Sequence, residues 1–238
     1  MNRLIEPTKA MGLTSMCANR ERNVRLVPSR RLAALFAVFI CGQVGAGDND
    51  PVRRPYVEVG DCWSYRADKM NYREPIGDYE ECITFVDSEK NVILAVAKLK
   101  KDGREIDTSY SMEWEERIDI EGAIYSRTSS RAHRFPLIVG DEWTERLEFR
   151  RALLGPVQGK TTFRIKAVAW EEVAVPAGRF RALRLEASGH GERYDVPSEF
   201  SVTVTAWYAP EVCRYVKNLF RTSGGVRGYE LTGYRLNK

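Results

Sequence analysis

The chain reads as an all-β, antiparallel protein: a curved sheet, sandwich or open barrel of roughly 11–13 strands, built from two related halves. Three observations predict this. From residue 56 onward apolar and polar residues alternate with period two, the pattern of strands that wet one face. Turn sequences rich in Gly, Pro and Asp separate these stretches, and each supplies a backbone conformation that a strand cannot. An octapeptide also recurs at an offset of 80 residues, VGDCWSYR at 59–66 and VGDEWTER at 139–146. Recurrence of a whole element points to duplication of a structural unit.

The first 47 residues stand apart. Arg30 and Arg31 precede an unbroken apolar run at 32–41 (LAALFAVFIC), followed by Val44-Gly45-Ala46 and then Asp48. A positive edge, an apolar stretch and small residues before a polar start are the three parts of a secretory signal. The uncharged stretch from Leu32 to Gly47 is 16 residues, short of the ~20 that cross a bilayer as a helix. The expected organisation is a leader at 1–47, cleaved near Ala46, a linker at 48–55 and one β-rich domain at 56–238. That domain would be periplasmic or secreted, with no permanent membrane span; a retained anchor is the alternative. Cys41 follows Ile40, whereas a lipoprotein signal needs a small residue there. The leader holds seven Lys/Arg and two Glu, out of 37 basic and 33 acidic residues in the chain. The rest is close to neutral, which argues against a nucleic-acid surface.

Along the domain, Trp63/Tyr65, Phe163/Ile165/Ala167 and Val202/Val204/Ala206 each form the apolar face of an alternating strand. Residues 92–97 (VILAVA) are continuously apolar and read as a central strand buried on both faces. Asp102-Gly103 is a hairpin turn, and Pro176-Ala177-Gly178 is another. Pro210 ends the strand carrying Trp207 and Tyr208, because proline cannot donate to a ladder. Residues 113–124 are the best helical candidate, although their apolar residues suit strands as well. The two halves span about 56–130 and 136–238. A hairpin centred near Tyr72 would place Cys62 opposite Cys82, and an oxidising compartment would permit a disulfide; the alternative is separate thiols, with Cys213 left over in either case.

The Gly-Asp-x-Trp elements, Phe135-Pro136-Leu137, Val175-Pro176-Ala177-Gly178-Arg179-Phe180 and Trp207-Tyr208-Ala209-Pro210-Glu211-Val212 occur in this order. In these motifs the chain resembles a group of uncharacterised exported bacterial proteins with a VPAG-x-F turn and a WYAP strand, over roughly residues 56–236. The resemblance implies a β-rich envelope protein and carries no activity with it. Cys62 and Cys213 depart from the pattern.

Signatures of common chemistry are missing from the sequence. There are two histidines, His133 and His190, both read as loop residues. There is no Cys-x-x-Cys pair, no Gly-x-Ser-x-Gly elbow and no phosphate loop, so metal, nucleophilic and nucleotide chemistry find no footing and no cofactor is expected. Gly189-His190-Gly191 reads as a hinge or turn. Acid clusters such as 78–81, 113–116 and 171–172 read as the wet faces of strands. The five tryptophans fall in predicted strands, where they either fill a core or line a cavity. Trp63, Tyr65, Trp143, Phe163 and Trp207 are the candidate lining of such a cavity. The function expected is non-catalytic: an envelope protein taking an apolar or amphipathic small molecule or lipid. A scaffold that holds an envelope partner is the alternative, and a hydrolase with an acid pair a distant third.

Overall fold

The computed structural model describes residues 50–67, 77–119, 123–127, 135–152 and 154–237; the leader, Tyr72 and His133 lie outside them. Among the described residues are twelve strands: β1 (Cys62–Ala67), β2 (Tyr79–Asp87), β3 (Val92–Leu99), β4 (Glu105–Tyr110), β5 (Glu116–Ile118), β6 (Ile124–Arg127), β7 (Glu142–Arg150), β8 (Gly159–Val175), β9 (Gly178–Arg193), β10 (Ser198–Ala209), β11 (Arg214–Thr222) and β12 (Gly225–Arg235). Each strand pairs antiparallel with its neighbours in sequence, and β12 pairs with β1. The all-β antiparallel expectation therefore holds, and the sheet is closed where an open one was allowed. Closure removes both free edges.

A barrel wall has core on one side only, and this corrects the reading of residues 92–97. Ile93, Ala95, Ala97 and Leu99 are buried, while Leu94 is 40% exposed on the outer side. The outer face carries cross-strand ion pairs such as Lys166–Glu142, Lys160–Glu192 and Lys98–Glu105. Among the described residues no helix is long and apolar enough to cross a membrane.

The two octapeptide copies build the same turn. Gly60 and Gly140 sit at φ +92° and +96°, where a Cβ would be strained. Asp61 and Asp141 each accept the backbone N–H three residues earlier, from Glu58 at 2.9 Å and Ile138 at 3.0 Å. Gly60 N–H donates to Ile83 O, and Gly140 N–H donates to Ala167 O. The first copy starts β1 and the second starts β7, six strands further on. Cys62 and Cys82 face each other in the β1–β2 register and are joined by a disulfide.

The turns at Gly103 and Gly178 form as expected, with φ +70° and +143°, and β10 ends at Ala209, followed by one 3-10 turn, Pro210–Val212. Among the described residues of 113–124, namely 113–119 and 123–124, none is helical: they hold a turn, β5 and the start of β6. Trp114, read from sequence as a strand residue, sits in that turn at φ +60°. The β8–β9 hairpin is long, with a bulge at Ala167/Ala169, and its tip reaches β12. Ala177 N–H donates to Leu231 O at 3.0 Å, and the Phe180 and Tyr234 rings meet edge to face.

Gly189-His190-Gly191 is not a hinge. All three residues lie inside β9, paired with β8 and β10. The glycines are there because large rings occupy the space their side chains would take: Phe163 and Val202 against Gly189, and Phe200 against Gly191. Small residues facing large ones fit the taper of a filled barrel. A Cβ on Gly191 would collide with the Phe200 ring. Gly191→Ala is expected to lower stability by about 1–3 kcal/mol in urea unfolding, as overpacking does. Adding Phe200→Leu should restore part of that loss; a double variant no more stable than the single would show that the cost lies elsewhere.

Candidate functional site

A buried polar cluster lies in the barrel interior. Glu81 shares the inward parity of Tyr79 and Ile83 on β2, and it is 2% exposed. Its Oε1 accepts from the Thr108 and Tyr110 hydroxyls, both at 2.6 Å, and its Oε2 meets Arg214 Nη2 in a close ion pair. This corrects the reading of the 78–81 acids as a wholly wet face: Glu81 is core. Arg214 follows the 3-10 turn, after Cys213 at φ +54°. Three aromatic donors fix the backbone around it. Trp63 Nε1 donates to Val212 O at 2.8 Å, Trp114 Nε1 to Cys213 O at 2.6 Å and the Tyr65 hydroxyl to Tyr215 O at 3.0 Å. The guanidinium then lies over the rings of Trp114 (3.9 Å), Tyr110 (4.8 Å) and Trp63 (5.3 Å), a cation–π arrangement of the kind that gains strength when desolvated. Burial opposes its charge, but the Glu81 carboxylate, then Tyr110 and Tyr65, outweigh that and hold it protonated beyond the usual arginine range. Burial foremost pushes the Tyr65 hydroxyl up to about 12 and Tyr110 well above the ordinary phenol range.

Beside this cluster lies a cavity of about 200 Å³. Its polar lining is Arg214, Glu116, Glu145, Tyr215, Asn218 and Tyr229. The rest is apolar, including Phe163 and Ile165 of β8, Leu185 and Ala187 of β9, and Val204 and Ala206 of β10. Period-two alternation explains each of these apolar pairs, since i and i+2 face the same side of a strand. Trp143, Glu145 and Leu147 of β7 follow the same rule, and Glu145 is 5% exposed.

Of the five residues expected to line a cavity, Trp143 and Phe163 do so. Trp63 and Tyr65 are 1% exposed in the same interior, but their surfaces are already covered, Trp63 by Arg214 and Trp114, Tyr65 by Tyr79 and Tyr229. Trp207 is on the other side of the sheet. Its neighbours Ala206 and Tyr208 are buried, so alternation turns it outward, where Nε1 donates to Glu171 Oε2 at 2.8 Å and Lys217 lies over the ring. His190 is also not a loop residue; it is on β9, exposed, 3.6 Å from Glu199.

Fold and site together define a closed antiparallel barrel with a small internal cavity of mixed polarity. No family model matches the chain, and no curated protein does. Two solved structures are similar in fold. One, from Parabacteroides distasonis, is described only as a candidate lipoprotein; it is 11% identical with a TM-score of 0.46, covering 78% of this chain and all of that one. The other, from Bacteroides fragilis, is described as a candidate exported protein with a YmcC-like fold; it is 12% identical with a TM-score of 0.47, at the same coverage. At these values neither likeness bears on function.

Proposed function

We propose that this is an exported, non-catalytic envelope protein that holds a small apolar or amphipathic molecule inside its barrel. The cavity carries the reading: an apolar pocket with a few convergent polar groups is the usual form of a ligand site. The signal-like leader and the Cys62–Cys82 disulfide suit an oxidising compartment. The matching turns at Gly60 and Gly140 support the further reading of the barrel as two six-stranded halves that arose by duplication.

Ala187 lines the cavity and tests the reading directly. Protein purified from its native envelope should release a small molecule in near-equal amount on solvent extraction, detected by mass spectrometry. Ala187→Phe should release about tenfold less while melting within a few degrees of the wild type, because the added ring fills space rather than displacing packed atoms. Equal release from both proteins would move the ligand out of the cavity, and no release from the wild type would sink the proposal.

A further inference from the structure

Tyr229 and Asn218 face each other across β12 and β11, and both line the cavity. Asn218 Nδ2 donates to the Tyr229 hydroxyl oxygen at 3.3 Å. A phenol has one proton to give. With its oxygen accepting from Asn218, that proton points to a second acceptor, and Tyr229 makes no other hydrogen bond among the described residues. Burial, followed by Tyr65 and Glu116, keeps this phenol protonated well past neutral pH. The cavity therefore presents an oriented donor.

The charges that line the cavity narrow the choice of ligand. Arg214 is of one sign, Glu116 and Glu145 of the other. Arg214 is already paired with Glu81, and Glu116 and Glu145 are already engaged within the protein, so a charged guest finds no unmatched counter-charge and would have to break an existing pair to bury its own charge. A neutral head group has neither cost. The volume narrows it again. An apolar cavity of about 150 Å³ admits benzene, so about 200 Å³ encloses one ring, or a chain of similar bulk, with a small head group; the cavity is partly open to solvent, so this is the part of a guest that it covers. Phe163, Leu185 and Val204 supply the apolar surface for that body.

We propose that the cavity selects an uncharged molecule of about one ring in size that carries an oxygen acceptor, read by the Tyr229 hydroxyl as oriented by Asn218. This rests on the cavity being the binding site. Its test uses four single-ring probes, benzyl alcohol, toluene, benzoate and benzylamine, titrated at neutral pH against the purified chain and followed by calorimetry and by the emission of Trp114 and Trp143. Benzyl alcohol should bind at least about tenfold tighter than benzoate or benzylamine. Tyr229→Phe should lower the ratio of benzyl alcohol to toluene affinity by about tenfold, the loss of one hydrogen bond, and leave toluene within about twofold of wild type. Asn218→Ala should lower the same ratio by a smaller factor, and it gives a second readout should Tyr229→Phe fold poorly. A ratio unchanged in both variants, or a preference for either charged probe, overturns this inference and leaves the cavity reading standing. Failure of all four probes to bind overturns both.

Discussion

Arg214→Ala is expected to lower the unfolding free energy by about 3–5 kcal/mol, the range found when one member of a buried ion pair is removed. Arg214 is 8% exposed and Glu81 2%, so the remaining carboxylate would sit in the core with only the Thr108 and Tyr110 hydroxyls to stabilise it. A domain has about 5–15 kcal/mol of stability in all, so urea unfolding should show a large shift in midpoint. Arg214→Lys should fall between, since it keeps the charge but loses the planar surface stacked on Trp114. Glu81→Leu strands the guanidinium and should cost as much as Arg214→Ala. The double variant Glu81→Leu/Arg214→Met leaves no charge behind and should be more stable than either single, a non-additivity diagnostic of the pair. A loss below about 1 kcal/mol for Arg214→Ala would mean the pair behaves like a surface one.

Raising the pH should unfold the protein in one steep step. Seven tyrosines, Tyr65, Tyr79, Tyr110, Tyr125, Tyr208, Tyr215 and Tyr229, have hydroxyls raised above the ordinary phenol range, in each case chiefly by burial. Below about pH 10 both folded and unfolded chains keep these protons, and stability is unaffected. Above it the unfolded chain releases them first, so stability falls as pH climbs towards the folded values. For Tyr65 alone, raised from 10.0 to about 12, the loss by pH 12 is about 2 kcal/mol. Phenolate absorbance and circular dichroism should therefore change together between about pH 10 and 12. Ionisation of all eleven tyrosines near pH 10 with the dichroism intact would contradict the burial of these seven rings.

Period-two patterning made the strands legible, and through them most of the apolar cavity wall. Phe163, Ile165, Leu185 and Val204 sit where alternation puts them. The polar lining was legible only in part. Glu145 shares the parity of Trp143 and Leu147, so an inward carboxylate was there to be read. Glu81 shares that of Tyr79 and Ile83 in the same way. Glu81 reads from sequence as a wet-face charge because most strand carboxylates are solvated. Arg214 left no such signal. The β10–β11 register shifts between Trp207 and Tyr208, leaving Val216 as an extra residue, and a bulge breaks the parity that would have placed it. Trp114 was misplaced for a related reason. Its side chain is directed by a left-handed turn, and sequence composition at 113–116 does not announce one. Gly189 and Gly191 look like a break in structure because glycine is weak in strands; their purpose is visible only in the register with the neighbouring strands, in the rings of Phe163 and Phe200.

The seam between β1 and β12 has a consequence for how the molecule comes into being. Cys62 is in register with Arg235, 173 positions later, so the last strand made is the one that completes the wall begun by the first. A growing chain cannot lock shut early, and pairings of such long reach form slowly. The wall cannot close before β12 has been made. A product cut short ahead of residue 225 would carry two bare, sticky margins, and its fate would be clumping or degradation rather than a smaller working vessel.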